Sequence, residues 1–202
     1  EYFHSWLVKF IRPESFVNYD LNQEGYTSLL WIFEGFTSYY DDLLLLRSGV
    51  IDQAAYLELL KAQIDRYLQN PGRAIQTVAE SSFDAWVKFY RQDENSNNAG
   101  TSYYNKGCLV ALCLDLGLRL RGSSLDALMQ KLYANAQQGI QVHERTISEL
   151  CKELTGDDWS EQIHHLINTT DELPLDQLLP EFGIQYQLKQ DKSLPFGLKV
   201  TD

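Results

Sequence analysis

Long hydrophobic runs are missing from this chain. Its run of four leucines, Leu43 to Leu46, is a single helical turn, far short of the roughly 20 apolar residues that cross a bilayer as a helix. No secretory leader is legible either. Residue 1 is Glu rather than Met, so the chain reads as a fragment or a processed form. An excess of positive charge is also absent: 17 Lys and Arg stand against 28 Asp and Glu, a formal charge of -11. That balance argues against nucleic acid as a partner, because phosphate binding leaves a basic footprint. Cysteine is scarce, and Cys108, Cys113 and Cys151 share no metal-ligand spacing. Cys108 and Cys113 fall in an apolar helical pattern and read as core thiols, which fits a reducing, cytoplasmic compartment. Internal repeats and low-complexity tracts are lacking too.

What the chain does have is apolar material. It is 202 residues long, 44% hydrophobic and 12% aromatic, enough for one full-sized domain, or for a domain and a small additional piece. The periodicity is helical for most of its length. Residues 1–9 read as helix that Arg12 and Pro13 end. A polar loop leads to a helix from Ser28 to about Leu46, stopped by Gly49. Asp52 caps a third helix with Tyr56, Leu57, Leu60, Ile64 and Leu68 on one face, and Asn70-Pro71-Gly72 terminates it. Residues 73–99 are less periodic and include the polar stretch DENSNNAG. A very apolar helix from Thr101 to about Leu120 is expected to lie at the centre of the domain. Ser124 caps the next helix, Thr146 and Glu149 form a capping box for a short one, and Asp158 caps another.

After Thr170 the composition shifts. A linker is expected near residues 170–180, and the alternation Ile184-Gln185-Tyr186-Gln187-Leu188 reads as strand. The division is therefore a helical part over 1–170, then a linker and the start of a β piece over 171–202.

The chemistry lies near the start. Glu1 and His4, three positions apart, share one helical face. Taken alone they leave two readings open. His4 can be an ordinary surface or core histidine. With one further His before Glu1, the string would become His-Glu-Tyr-Phe-His, the helix on which two His bind zinc while the Glu acts as general base. His164-His165 looks like a metal pair, but adjacent residues point to different helix faces. His143 stands alone in a polar turn. Arg73, Asn95 and Asn98 approach the groove in this reading, without a derivable role.

Five segments carry a resemblance: EYFHSWLVKFIRP at 1–13, LLWIFEGFTSYYDDLLLLRSG at 29–49, SSFDAWVKFYRQDENSNNAGTSYYNKGCLVALCLDLGLR at 81–119, SLDALMQKLY at 124–133 and ELPLDQLLPEFGI at 172–184. In order and local wording they resemble the glycyl-aminopeptidase family of zinc metallopeptidases. The resemblance implies the helical C-terminal subdomain of a thermolysin-like catalytic domain, mainly α with a short β tail that begins a PDZ-like domain. It implies that Glu1 is the general base, that His4 and Glu34 are zinc ligands, and that Tyr104 steadies the tetrahedral intermediate. The spacing common in the broader zincin class would land on Gln23, one short of Glu24. Glu34 comes later, with 29 residues between it and His4, but it carries the family's wording, Trp31-Ile32-Phe33-Glu34-Gly35-Phe36. Asp42 is a candidate to support a zinc ligand from outside.

The whole protein is then expected to be a zinc aminopeptidase that removes N-terminal glycyl or other small residues from peptides. This chain alone, offering two of the three protein ligands, is expected to be inactive and to bind zinc weakly. The alternative is a non-catalytic zincin-like scaffold that binds peptides.

Overall fold

The computed structural model describes residues 2–20 and 22–188, with the backbone alone for Asn97. Nine α-helices account for most of these residues: α1 (Leu30–Arg47), α2 (Gln53–Gln69), α3 (Val78–Phe83), α4 (Ser96–Ala99), α5 (Asn105–Arg119), α6 (Leu125–Gln137), α7 (Thr146–Thr155), α8 (Ser160–Asn168) and α9 (Leu175–Glu181). Short 3-10 turns form at Tyr2–Ser5, Glu14–Phe16 and Pro71–Ala74, and a π-helical turn at Ala85–Phe89. The described residues contain two isolated β-bridges, Leu7 with Ile11 and Pro13 with Val142. No helix among them is long and apolar enough to cross a membrane.

Helix α5 is the axis of the molecule, as its composition predicts. Every residue from Asn105 to Leu118 is buried, and α1, α2, α6 and α9 pack around it. A helix can be apolar on all sides only where its whole circumference is covered. The closest packing is between α1 and α5, where Gly35 meets Gly107. A methyl group on Gly35 would lie 2.4 Å from the Gly107 carbonyl carbon. The two backbones touch at a point where neither helix has a side chain.

Polar groups inside this core are matched to partners. Asp115 on α5 accepts hydrogen bonds from Tyr39 Oη at 2.7 Å, Arg119 Nε at 2.9 Å and the Leu125 backbone N–H at 2.8 Å. It therefore joins α1, α5 and the start of α6. Lys106 is also buried. Its ammonium reaches the Thr169 carbonyl at 3.4 Å, just past the end of α8. Burial pulls its pKa below the usual lysine value, and the charges of Glu172 and Asp171 oppose that shift.

Several expected element ends differ. The helix expected over residues 1–9 is only the 3-10 turn Tyr2–Ser5. Val8 then takes φ 80°, a conformation rare for a β-branched residue, and its N–H donates to the Ile11 carbonyl at 2.8 Å. This tight return buries both Leu7 and Ile11 completely enough to override helix propensity. Helix α5 starts at Asn105 rather than Thr101. The caps at Asp52 and Ser124 form as expected, accepting from Ala55 and Ala127. Asp158 accepts from the Ser160 N–H at 2.9 Å. The box expected at Thr146 does not form: its hydroxyl accepts from the His143 N–H instead. A capping box forms at Thr77 and Glu80. Within the stretch expected as linker, Leu175–Glu181 is helix α9, and Leu173, Leu175 and Leu179 are buried against the core. Residues 184–188 are irregular, with no strand pairing among the described residues. Residues 189–202, where most of the expected β piece falls, lie outside the described residues.

Candidate functional site

The site is assembled at the end of the molecule where α1 and α5 begin. Leu29, at the N-cap of α1, supplies no capping side chain. Instead Ser82 of α3 accepts a hydrogen bond from the Trp31 N–H at 3.0 Å, which anchors the first turn of α1. Glu34 follows one turn later, next to the Gly35–Gly107 contact. On the opposing helix, Tyr104 is the N-cap residue of α5, one turn before Gly107. The start of α5 is tied to α2, because the Asn105 amide donates to both the backbone carbonyl and the side-chain oxygen of Gln63. The glycine contact thus sets how closely Glu34 and Tyr104 approach.

The third element is the 3-10 turn Tyr2–Ser5. Phe3 is buried and stacks on Tyr40 of α1, with ring centroids 4.9 Å apart. That contact brings the neighbouring His4 against α1, and His4 Nε2 lies 3.2 Å from Glu34 Oε2. Side-chain exposures of 18% and 20% leave the pair open to solvent on one side. The other ring nitrogen, His4 Nδ1, is buried and has no hydrogen-bond partner among the described residues.

Aromatic rings wall the site. Tyr103 and Tyr104 lie 4.7 Å apart, and Phe89 packs on both, at 5.0 and 5.7 Å. Tyr103 is fully buried, whereas Tyr104 is part-exposed. The Tyr104 pKa is pushed up to about 12, first by burial and then by the negative charge of Glu34. At neutral pH the phenol is therefore a hydrogen-bond donor.

These donor atoms suit a cation. Two ligand bonds of about 2.0–2.1 Å at a tetrahedral angle span roughly 3.3–3.4 Å, close to the 3.2 Å between His4 Nε2 and Glu34 Oε2. Without a cation, an Nε2–H can donate to the carboxylate across the same gap. Imidazole nitrogen with carboxylate oxygen is a donor set that zinc accepts. Among the described residues no group of three or more His, Cys, Asp and Glu side chains is arranged to hold a metal. Glu1, expected to be the general base, lies outside the described residues.

The remaining candidates lie elsewhere. Glu24 is held by the Tyr26 hydroxyl and by Arg91 at 3.0 Å. Asp42 is eight residues beyond Glu34 on α1, about 12 Å along the axis, too far to hold the His4–Glu34 pair. Arg73 pairs with Glu172 at 3.0 Å. Asn95 and Asn98 take part in hydrogen bonds within the loop around Asp93. His165 faces Asp171 at 3.2 Å, and His143 faces Glu149 at 3.6 Å.

Sequence reasoning passed over Tyr90. It closes the π-helical turn, with its N–H bonded to the Ala85 carbonyl five residues back, and its ring lies 5.4 Å from Phe89. The spacing Trp86, Phe89, Tyr90 was a legible signal of an aromatic face.

The site belongs to a known context. The chain is similar to a crystal structure of an aminopeptidase N family protein from Idiomarina loihiensis, with 42% identity and a TM-score of 0.86. That similarity covers 91% of this chain and 32% of the other, so the present chain spans about a third of its relative. No curated protein sequence matches. The family model of the M61 glycyl aminopeptidases matches residues 1–110, more than half of the chain. The chain therefore belongs to the M61 glycyl aminopeptidase family, a family of peptidases.

Proposed function

We propose that this chain contributes the helical wall and part of the catalytic centre of a zinc-dependent aminopeptidase that removes N-terminal residues, glycyl or other small ones, from peptides. The observation that carries this reading is the 3.2 Å approach of His4 Nε2 to Glu34 Oε2, beside a phenol, in a chain of this family. His4 and Glu34 would hold the ion together with a further ligand from the rest of the protein. Zinc, when bound, would polarise the scissile carbonyl and acidify the attacking water.

The residues of this chain do the rest. Glu34 and His4 fix their donor atoms on elements that pack against one another, so the site is formed before substrate arrives. Glu1, by its place in the resembled motif, would take the proton from the water and pass it to the leaving amine. The Tyr104 phenol would donate a hydrogen bond to the carbonyl oxygen as negative charge develops there. The aromatic wall would exclude water from the scissile bond, which strengthens that hydrogen bond.

The test uses the whole protein. One zinc per chain is expected by metal analysis, with hydrolysis of a glycyl-arylamide substrate that chelator removes and zinc restores. His4→Ala and Glu34→Ala should each lower zinc affinity at least tenfold, in line with losing a direct ligand. A stoichiometric zinc content that survives both changes would assign the ion to other residues. Peptide binding with no hydrolysis in the zinc-loaded protein would favour a binding scaffold.

A further inference from the structure

Side chains from other elements hold the chain on both sides of Tyr104. Upstream, both main-chain groups of Thr101 are taken: its N–H donates to the Gln76 side-chain oxygen at 3.0 Å, and its carbonyl accepts from the Ser81 hydroxyl. The Asn70 amide donates to the Gly100 carbonyl at 3.0 Å. Thr101, Gln76 and Ser81 are all buried, so the segment that leads to Tyr104 is anchored before it reaches α5. Downstream, the anchor is Asn105. Its side-chain amide donates to the Gln63 carbonyl at 3.0 Å and to the Gln63 side-chain oxygen at 2.8 Å, and the residue is only 7% exposed.

The Asn105 side chain is not occupied in capping its own helix. Ser102 serves the first N–H groups of α5: its hydroxyl accepts from the Asn105 N–H at 3.2 Å and its carbonyl from the Lys106 N–H at 2.8 Å. The Asn105 amide instead reaches across to α2, where it forks onto one residue. The Gly35–Gly107 contact fixes how closely α1 and α5 approach, but with no side chains interlocked it offers the first turn of α5 little resistance to rotation. Two directed hydrogen bonds supply that resistance. The lever is steep. A side-chain tip about 5–6 Å from the helix axis moves by roughly 1 Å when its turn rotates by about 10°, and a misplacement of that size can cost about a hundredfold in rate.

We propose that Asn105 and Gln63 are positioning residues for catalysis: their paired hydrogen bonds set the rotation of the first turn of α5 and so aim the Tyr104 phenol at the reacting carbonyl. The inference rests on the role proposed for Tyr104 and adds to it a device on α2. Both residues act through Tyr104, and neither touches the reacting atoms.

Asn105 is buried, and replacing it would remove two hydrogen bonds from the interior at once, so the substitution is made on its partner. Gln63→Met keeps the length and helix preference of the side chain. It leaves the backbone carbonyl in place and takes away the 2.8 Å acceptor. The experiment is a double-mutant cycle in the full-length zinc-loaded enzyme, with kcat and KM measured on a glycyl-arylamide well below the melting temperature. Gln63→Met should lower kcat roughly tenfold, less than the hundredfold or so of a full ångström's misplacement, because one of the two bonds remains. KM should stay within about twofold, because the phenol acts in the transition state. Zinc content should not change. In a Tyr104→Phe background the same substitution should have no further effect on kcat, since the group it aims is gone.

Wild-type kcat in Gln63→Met, with or without a lowered melting temperature, overturns the inference and leaves the role of Tyr104 standing. An equal loss in both backgrounds also overturns it, because Gln63 would then act independently of Tyr104. A fall in zinc content parallel to kcat overturns it in favour of a structural role. If Tyr104→Phe alone retains full activity, the underlying reading fails and the inference fails with it.

Discussion

Replacing Tyr104 by Phe removes one oxygen and leaves the ring beside Tyr103 and Phe89. Burial and the charge of Glu34 raise the pKa of the phenol, so the contribution proposed for it at neutral pH is a donated hydrogen bond and not a charge. In the whole enzyme Tyr104→Phe should lower kcat by about 10²–10³-fold, the usual cost of one lost donor to a developing oxyanion, and KM should move little. Steady-state kinetics on a glycyl substrate checks this, and an unchanged kcat would remove Tyr104 from the mechanism. Tyr103, its neighbour, has the same functional group but is buried. Nothing in the string Tyr103-Tyr104 says which ring faces inward. In the structure Tyr104 is part-exposed, stands one turn before Gly107 and feels the charge of Glu34, which supports the proposal that it, and not Tyr103, faces the substrate.

Helix α1 shows what was legible at the level of elements and what was not. Its length, and the local wording around Glu34, could be read from residues 28–49. Its central partner could be read too, because α5 lacks a polar face. Gly35 and Gly107 gave no sign that they meet, since glycine leaves no periodic pattern and the contact is between distant segments. In a Gly35→Ala protein the new methyl would sit 2.4 Å from the Gly107 carbonyl carbon, so the helices must separate. We expect a loss of about 1–3 kcal/mol in stability by denaturant unfolding, together with a larger fall in activity than stability alone explains, because Glu34 and Tyr104 move apart. Normal stability would show that the contact is loose. Other elements were misread for identifiable reasons. The first turn is cut short at Val8 by the burial of Leu7 and Ile11, which are long-range demands. Helix α9 was hidden by its prolines, Pro174 at the N-cap and Pro180 within the helix. The Thr77–Glu80 capping box has a legible sequence pattern, but it lies in a stretch without helical periodicity.

The molecule as a whole is held by polar ties between helices as well as by its core. Tyr40 on α1 donates to Asp126 of α6 at 2.8 Å, and Arg47 pairs with the same carboxylate at 2.9 Å. Burial pushes the Asp126 pKa up, but the hydrogen bonds and charge from Arg47, with the Tyr40 hydroxyl, outweigh it and hold the pKa below 3.8. A carboxyl with a depressed folded-state pKa stabilises the fold above its unfolded value and loses that contribution as pH falls through the folded value. Melting temperatures measured from pH 6 downward should therefore fall less steeply below about pH 3.8 in Asp126→Asn than in wild type. Parallel curves would mean that the tie carries no linkage.

The three thiols turn this architecture into a set of internal clocks. Cys108 and Cys113 sit on α5 and Cys151 on α7, all buried, and burial raises each thiol pKa to about 12. Only the thiolate attacks a disulfide reagent, so the closed molecule should be silent to one, and each reaction should record an opening event. Helix α7 packs on α6 and α8, towards the outside, whereas α5 is surrounded. Cys151 should consequently react first, through partial opening, and the α5 pair should wait for global unfolding. Mass spectrometry of the chain under native labelling would show one adduct before the other two, and simultaneous labelling of all three would mean that the described helices open as one unit. On that reading, a reagent smaller than any substrate can time the loosening of each layer without touching the site.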